Sequence, residues 1–115
     1  MSDKALQACV HWHLEHAAME FRLDEELGTH HGLSWGDFVL LTVLDVAGGA
    51  APAKALARTL CMPASQVLLR LLPLEKTGLV ERSADGDGKR QVTLRPQGRR
   101  LLNEARETAA NACTP

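Results

Sequence analysis

The sequence predicts a mainly α domain with a small β-wing, a winged helix-turn-helix, from three observations. Residues 74–98, LEKTGLVERSADGDGKRQVTLRPQG, read as a helix end, a strand, a tight turn, a second strand and a new helix. Upstream, two short helical patterns at 53–60 and 64–73 flank Cys61-Met62-Pro63, the arrangement of a helix-turn-helix. The charge is also polarised. Residues 1–53 carry Lys4 and Arg22 against eight acids, whereas residues 54–115 carry eleven basic residues against six acids, which hides inside a net charge of −1.

The 115 residues suffice for a single domain, spanning 1–115. With an aromatic content of 3% and no tyrosine, its core must come from Leu, Val and Ala. Leu6, Val10, Leu14, Ala17, Phe21 and Leu27 recur at helical spacing and predict one long amphipathic helix over 3–27, broken by Gly28 to Gly32. Ser34 stands as an N-cap with Asp37 three residues on, a capping-box variant that opens a helix through Phe38, Leu41 and Leu44 and ends at Gly48-Gly49. A short strand at Ala50 to Pro52 would add a third member to the hairpin.

In the 53–60 helix Ala55, Leu56 and Leu60 face the interior, and Val67, Leu71 and Leu74 give the next helix its buried stripe. Pro63 stands where a Ser or Thr cap is expected, and Pro73 predicts a kink before the last turn. Gly78 closes that helix in the left-handed region. Strands follow at Leu79 to Arg82 and Gln91 to Leu94, joined by the two Asp-Gly pairs Asp85-Gly86 and Asp87-Gly88. Pro96 opens a final helix over 96–108, through Leu101, Leu102 and Ala105, and the tail NACTP is expected to fray.

The run Leu74-Glu75-Lys76-Thr77-Gly78-Leu79-Val80-Glu81-Arg82, the Gly/Asp turn with Lys89 and Arg90, and Leu94-Arg95-Pro96-Gln97-Gly98-Arg99 together resemble the winged helix-turn-helix of MarR-type transcriptional regulators. Leu33-Ser34-Trp35-Gly36-Asp37-Phe38 and Ala55-Leu56-Ala57 match the preceding helices, so the resemblance covers residues 30 to 105. It implies a DNA-binding regulator acting as a homodimer on a pseudo-palindromic double-stranded site, in the cytoplasm. In that family the first half of the second motif helix reads base edges and the wing reaches the backbone or the minor groove. This assigns Ser65, Gln66 and Arg70 to bases and Arg58, Arg82, Lys89 and Arg90 to phosphates. Where the family has a Thr-Arg pair, this chain has Leu68-Leu69. Either the helix is rotated so that Arg70 faces out, or Leu68, Leu69 and Leu72 are buried against another chain, or they widen the core stripe. The alternative function is a winged-helix module that has lost sequence-specific reading and binds a protein.

The resemblance further implies a small aromatic effector between the dimerisation region and the winged domain, with Trp12, His16, Trp35 and Phe38 as walls. The chain stops one helix after the wing, so the first helix and the residues around Leu101 to Ala105 would carry more of the dimer interface. His13, His16 and Glu20 share a helix face, but a polar surface is the better reading and no metal or cofactor is expected. Cys9, Cys61 and Cys113 have no paired spacing and are read as buried or incidental thiols. Cys9 lies near the position of the reactive cysteine in peroxide-sensing relatives, which use tyrosines that this chain lacks. There is no glycine-rich phosphate loop, no HExxH and no nucleophile elbow, so an enzyme is not expected. No apolar run is long enough to span a bilayer, and no membrane partner is expected.

Overall fold

A computed structural model describes residues 3–84 and 86–114. In chain order the elements are α1 (Asp3–His31), α2 (Trp35–Val46), β1 (Ala50–Pro52), α3 (Ala53–Leu60), α4 (Ala64–Lys76), β2 (Val80–Ala84), β3 (Arg90–Leu94) and α5 (Pro96–Cys113). They form two compact units, one of α1 with α5 from Ala105 onward, the other Gly36–Glu104.

In the first unit α1 extends past the expected break. Gly28 stays helical, and the stop falls at Gly32, whose φ of 68° favours a residue without a Cβ. Its N–H donates to the Gly28 carbonyl and that of Leu33 to the Leu27 carbonyl, so the helix end is satisfied by backbone. The unit buries Leu23, Leu27, Leu33, Ala105 and Ala109. The expected apolar stripe is therefore buried only at its end: Leu6, Val10, Leu14 and Phe21 are all more than half exposed. α5 also outruns expectation, reaching Cys113 where a frayed tail was predicted from Thr108. Thr108 is hydrogen-bonded through Oγ1 to His31 Nε2 at 2.8 Å, a tie that fastens this turn of α5 to the end of α1.

The second unit holds a three-stranded antiparallel sheet of order β1-β3-β2. Val80 pairs with Leu94 and Ala84 with Arg90, while Ala51 pairs with Val92, so Ala51, Val80, Val92 and Leu94 point inward together. Five positions separate the paired Ala84 and Arg90, so the hairpin loop is longer than a two-residue Asp-Gly turn. Gly88 takes the left-handed conformation there, and Asp85 lies outside the described residues. Three helices end in the same backbone device, the N–H just after a left-handed residue reaching five residues back: Gly49 to Leu44, Met62 to Ala57, Leu79 to Leu74. Glycine fills the left-handed position at Gly48 and Gly78, but in the helix-turn-helix Cys61 does, at φ 55°.

The core joins Phe38, Leu40, Leu41 and Leu44 of α2 to Leu56, Val67, Leu71, Leu74 and Leu102. α4 runs unbroken through Pro73, which sits on its exposed side. At the start of α5, Gly98 is buried so closely against the hairpin that an added Cβ would stand 2.2 Å from the Leu79 carbonyl oxygen and 2.8 Å from a Leu94 methyl. Gly98→Ala is accordingly expected to destabilise the fold by about 2 kcal/mol or more in urea unfolding, the cost of overpacking against backbone. Gly86→Ala, which meets nothing within 4 Å, serves as the control and should change stability by less than about 0.5 kcal/mol.

Candidate nucleic-acid interface

Pro52 and Pro63 occupy the N-cap positions of α3 and α4, both in extended conformation and neither with a side-chain cap. At α4 the N–H groups of Gln66 and Val67 both reach the Pro63 carbonyl, so this end is closed by backbone, and the positive end of the helix dipole lies at its exposed first turn. Ser65 and Gln66, on the first turn of α4, are both exposed. Between α4, the start of α3 and the hairpin lies an open cleft of about 930 Å³ with an apolar floor at Val67 and Leu68 and cationic rims at Lys54, Lys89 and Arg90. It joins two of the expected recognition elements on one side of the unit.

Two of the cations expected at DNA have neighbours within the chain. Arg70 is exposed, and its guanidinium lies beside Gly36 at the start of α2, where a Cβ on that glycine would be. Arg82 is bound to Glu75: its Nε donates to Oε1 at 2.9 Å, its backbone N–H to Oε2 at 3.2 Å, and Nη2 lies 2.8 Å from Oε1. Both guanidinium nitrogens converge on Oε1 while the backbone N–H takes Oε2, and these charge-assisted contacts join the last turn of α4 to β2. The positive charge of Arg82 is matched within the chain, so the pair anchors the wing. The Arg82 hydrogen bonds hold the Glu75 carboxyl below its ordinary value of 4.5. Arg58 is exposed on α3, and Lys89 and Arg90 are exposed at the hairpin. Lys76, overlooked in the sequence, is exposed eleven residues after Ser65 on the same α4 face, a spacing that marks it.

Of the four expected effector-site residues, the three in the first unit are spread along α1. Trp12 is two-thirds exposed and stacks on His16, with ring centroids 5.7 Å apart. Trp35 is held further along α1, its N–H donating to Asp24 Oδ1 at 2.6 Å. At 1.5 Å per residue, Trp12 and His16 lie about 18 and 12 Å along α1 from that carboxylate. Phe38 belongs to the core of the second unit. His16 is 3.9 Å from Glu20, and among the described residues no three His, Cys, Asp or Glu side chains converge as a metal site. All three cysteines are free and exposed, so of the two readings, buried or incidental, burial does not apply. Among the described residues no helix is long and apolar enough to cross a membrane.

A helix-turn-helix followed by a cationic hairpin defines the winged-helix class of nucleic-acid-binding folds. No protein-family model and no curated protein matches the sequence. Solved structures do match in fold. The transcriptional regulator BldR from Sulfolobus solfataricus is 26% identical, with a TM-score of 0.84 over 96% of this chain and 81% of that one. Sco3205 of Streptomyces coelicolor, a MarR family regulator in complex with DNA, is 19% identical, with a TM-score of 0.84 over 97% and 75%. CouR from Rhodococcus jostii, bound to p-coumaroyl-CoA, is 20% identical, with a TM-score of 0.79 over 88% and 70%. The chain has the winged helix-turn-helix fold of the MarR-type transcriptional regulators.

Glu75 ties its charge state to the wing. Because its folded-state pKa is depressed, the pair stabilises the hairpin above pH 4.5 and is lost as pH falls through the lowered value. Amide exchange of β2, corrected for intrinsic rates, should therefore accelerate on acidification below that point. In Glu75→Gln it should already be faster at neutral pH and should not show this step. Identical pH profiles for the two proteins would remove the pair from wing anchoring.

Proposed function

We propose that this protein is a DNA-binding transcriptional regulator of the MarR type, acting as a homodimer on a pseudo-palindromic duplex site. The observation that carries the reading is the placement of the exposed first turn of α4 beside a hairpin bearing Lys89 and Arg90. Residues 36–104 hold ten basic residues against seven acids, so the cationic excess belongs to the unit that carries these elements. Phosphates require that local charge, whatever the net charge of the chain. In this reading Ser65 and Gln66 reach base edges, glutamine pairing bidentately with adenine, while Arg58, Lys89 and Arg90 meet phosphates. Arg70 and Arg82 leave the list of contacts, for the reasons given by their partners.

The dimer rests on α1. Leu6, Val10 and Leu14 recur every four residues with Phe21 beyond them, all exposed, and apolar side chains on one helix face are stabilised by a second copy of the same face. An effector enters this reading at Trp35 alone, whose fluorescence reports on the start of α2. The ligand-bound CouR structure supports looking for an aromatic compound there.

Selection of duplexes from mixed genomic fragments at moderate salt tests the reading, since a regulator retains particular fragments. Replacing Lys89 and Arg90 together by Ala should weaken binding to all sequences and flatten the plot of log affinity against log salt by about two per bound subunit. An unchanged slope takes the hairpin out of the interface. Light scattering at micromolar concentration should show a dimer for the native chain and a monomer for Val10→Glu/Leu14→Glu. A native monomer would overturn the dimer.

A further inference from the structure

α4 buries Val67, Leu71 and Leu74, and its opposite side presents Ser65, Leu69, Leu72 and Lys76 at i, i+4, i+7 and i+11. Leu69 is 66% exposed and Leu72 42% exposed, both unusual for leucine on a helix that otherwise packs well. Leu68 turns toward the cleft beside the hairpin. The central cation of the helix, Arg70, lies off this stripe, with its guanidinium beside Gly36. The outward surface of α4 therefore offers one hydroxyl, two leucines and a terminal ammonium. Between Ser65 and Lys76 that stripe carries only leucines, with no side chain able to hydrogen-bond guanine, and arginine or lysine on guanine is the commonest specific contact in the major groove.

What such a surface can distinguish is the C5-methyl of thymine, the one apolar group that a base edge displays in the major groove. Resting on the reading of α4 as the recognition helix, we infer that Leu69 and Leu72 read thymine methyl groups, so that the preferred half-site is thymine-rich under the middle of α4. Charge complementarity selects duplex DNA over a protein as the occupant. Lys76 stands on the leucines' own stripe, and Lys54, Lys89 and Arg90 line the cleft that Leu68 enters, cations of the kind that meet phosphates. Ser65 and Gln66, one turn earlier, supply the polar contacts that fix register.

The test removes single methyl groups. A duplex selected from a random pool is resynthesised with deoxyuridine in place of each thymine in turn, which keeps the O4 acceptor and the pairing with adenine. Burial of one methyl corresponds to about a four-fold change in affinity. Each thymine under Leu69 or Leu72 should therefore lose about four-fold on conversion to deoxyuridine, and thymines elsewhere should lose nothing. Leu69→Ser and Leu72→Ser, both at exposed positions, should bind thymine and deoxyuridine duplexes equally. Selective retention of duplexes with no thymine-to-deoxyuridine effect overturns the inference and leaves the regulator intact. If Leu69→Ser and Leu72→Ser bind native duplexes as the unsubstituted chain does, the leucines face a protein partner and the inference fails. Failure to retain any duplex overturns both the inference and the function on which it rests.

Discussion

The peptide of Leu79 is the junction on which the winged unit depends. Its N–H closes α4 by reaching the Leu74 carbonyl, and its own carbonyl accepts the Arg95 N–H, which links β2 to the residue just before α5. Gly98 then packs directly on that carbonyl. Helix end, hairpin and final helix are thus fixed at one backbone group, and only a residue without a side chain allows the approach. Gly78, at φ 81°, turns the chain into this junction. From here the hairpin can leave α4 in only one direction, and the Glu75–Arg82 pair holds it there.

Much of the winged unit was legible because its signals are local. Glycines at helix ends, alternation in Gln91-Val92-Thr93-Leu94 and Pro96 at a helix start each constrain their own few residues, and the elements formed where those constraints lie. β1 was readable for the same reason. Side-chain partnerships across elements were not. Nothing near Arg70 in sequence announces Gly36, nothing near Arg82 singles out Glu75 among the acids, and Asp24 stands eleven residues from the N–H it caps. The resemblance assigned Arg70 and Arg82 to DNA, and the fold gives both a neighbour within the chain. α1 failed differently. Its apolar periodicity was real, but periodicity states only that a face is apolar and does not say whether its own chain covers it.

On the function proposed above, the two halves of the interface would divide the work along physical lines. Cations at the hairpin and the start of α3 would supply a salt-dependent attraction that is indifferent to sequence. Discrimination would fall to α4, where leucine in place of arginine would move reading from hydrogen bonds to shape and desolvation. Such a helix gains less from each base contact than a bidentate arginine would, because one methyl is a small apolar surface. Two copies acting on a repeated half-site would offset that, since the contributions of both helices combine on one duplex. The polarised charge, the exposed stripe of α1 and the apolar face of α4 are consistent parts of one design.

The most direct measurement uses protein carrying isotope-labelled leucine methyl groups, observed by NMR as a selected duplex is added. Leu69 and Leu72 should shift strongly and saturably, Leu68 beside the cleft should follow, and the buried Leu23 and Leu27 of the first unit should scarcely move. Saturable DNA binding in which the α4 leucines stay unchanged while those of α1 shift would contradict the placement of the interface on α4 and the hairpin.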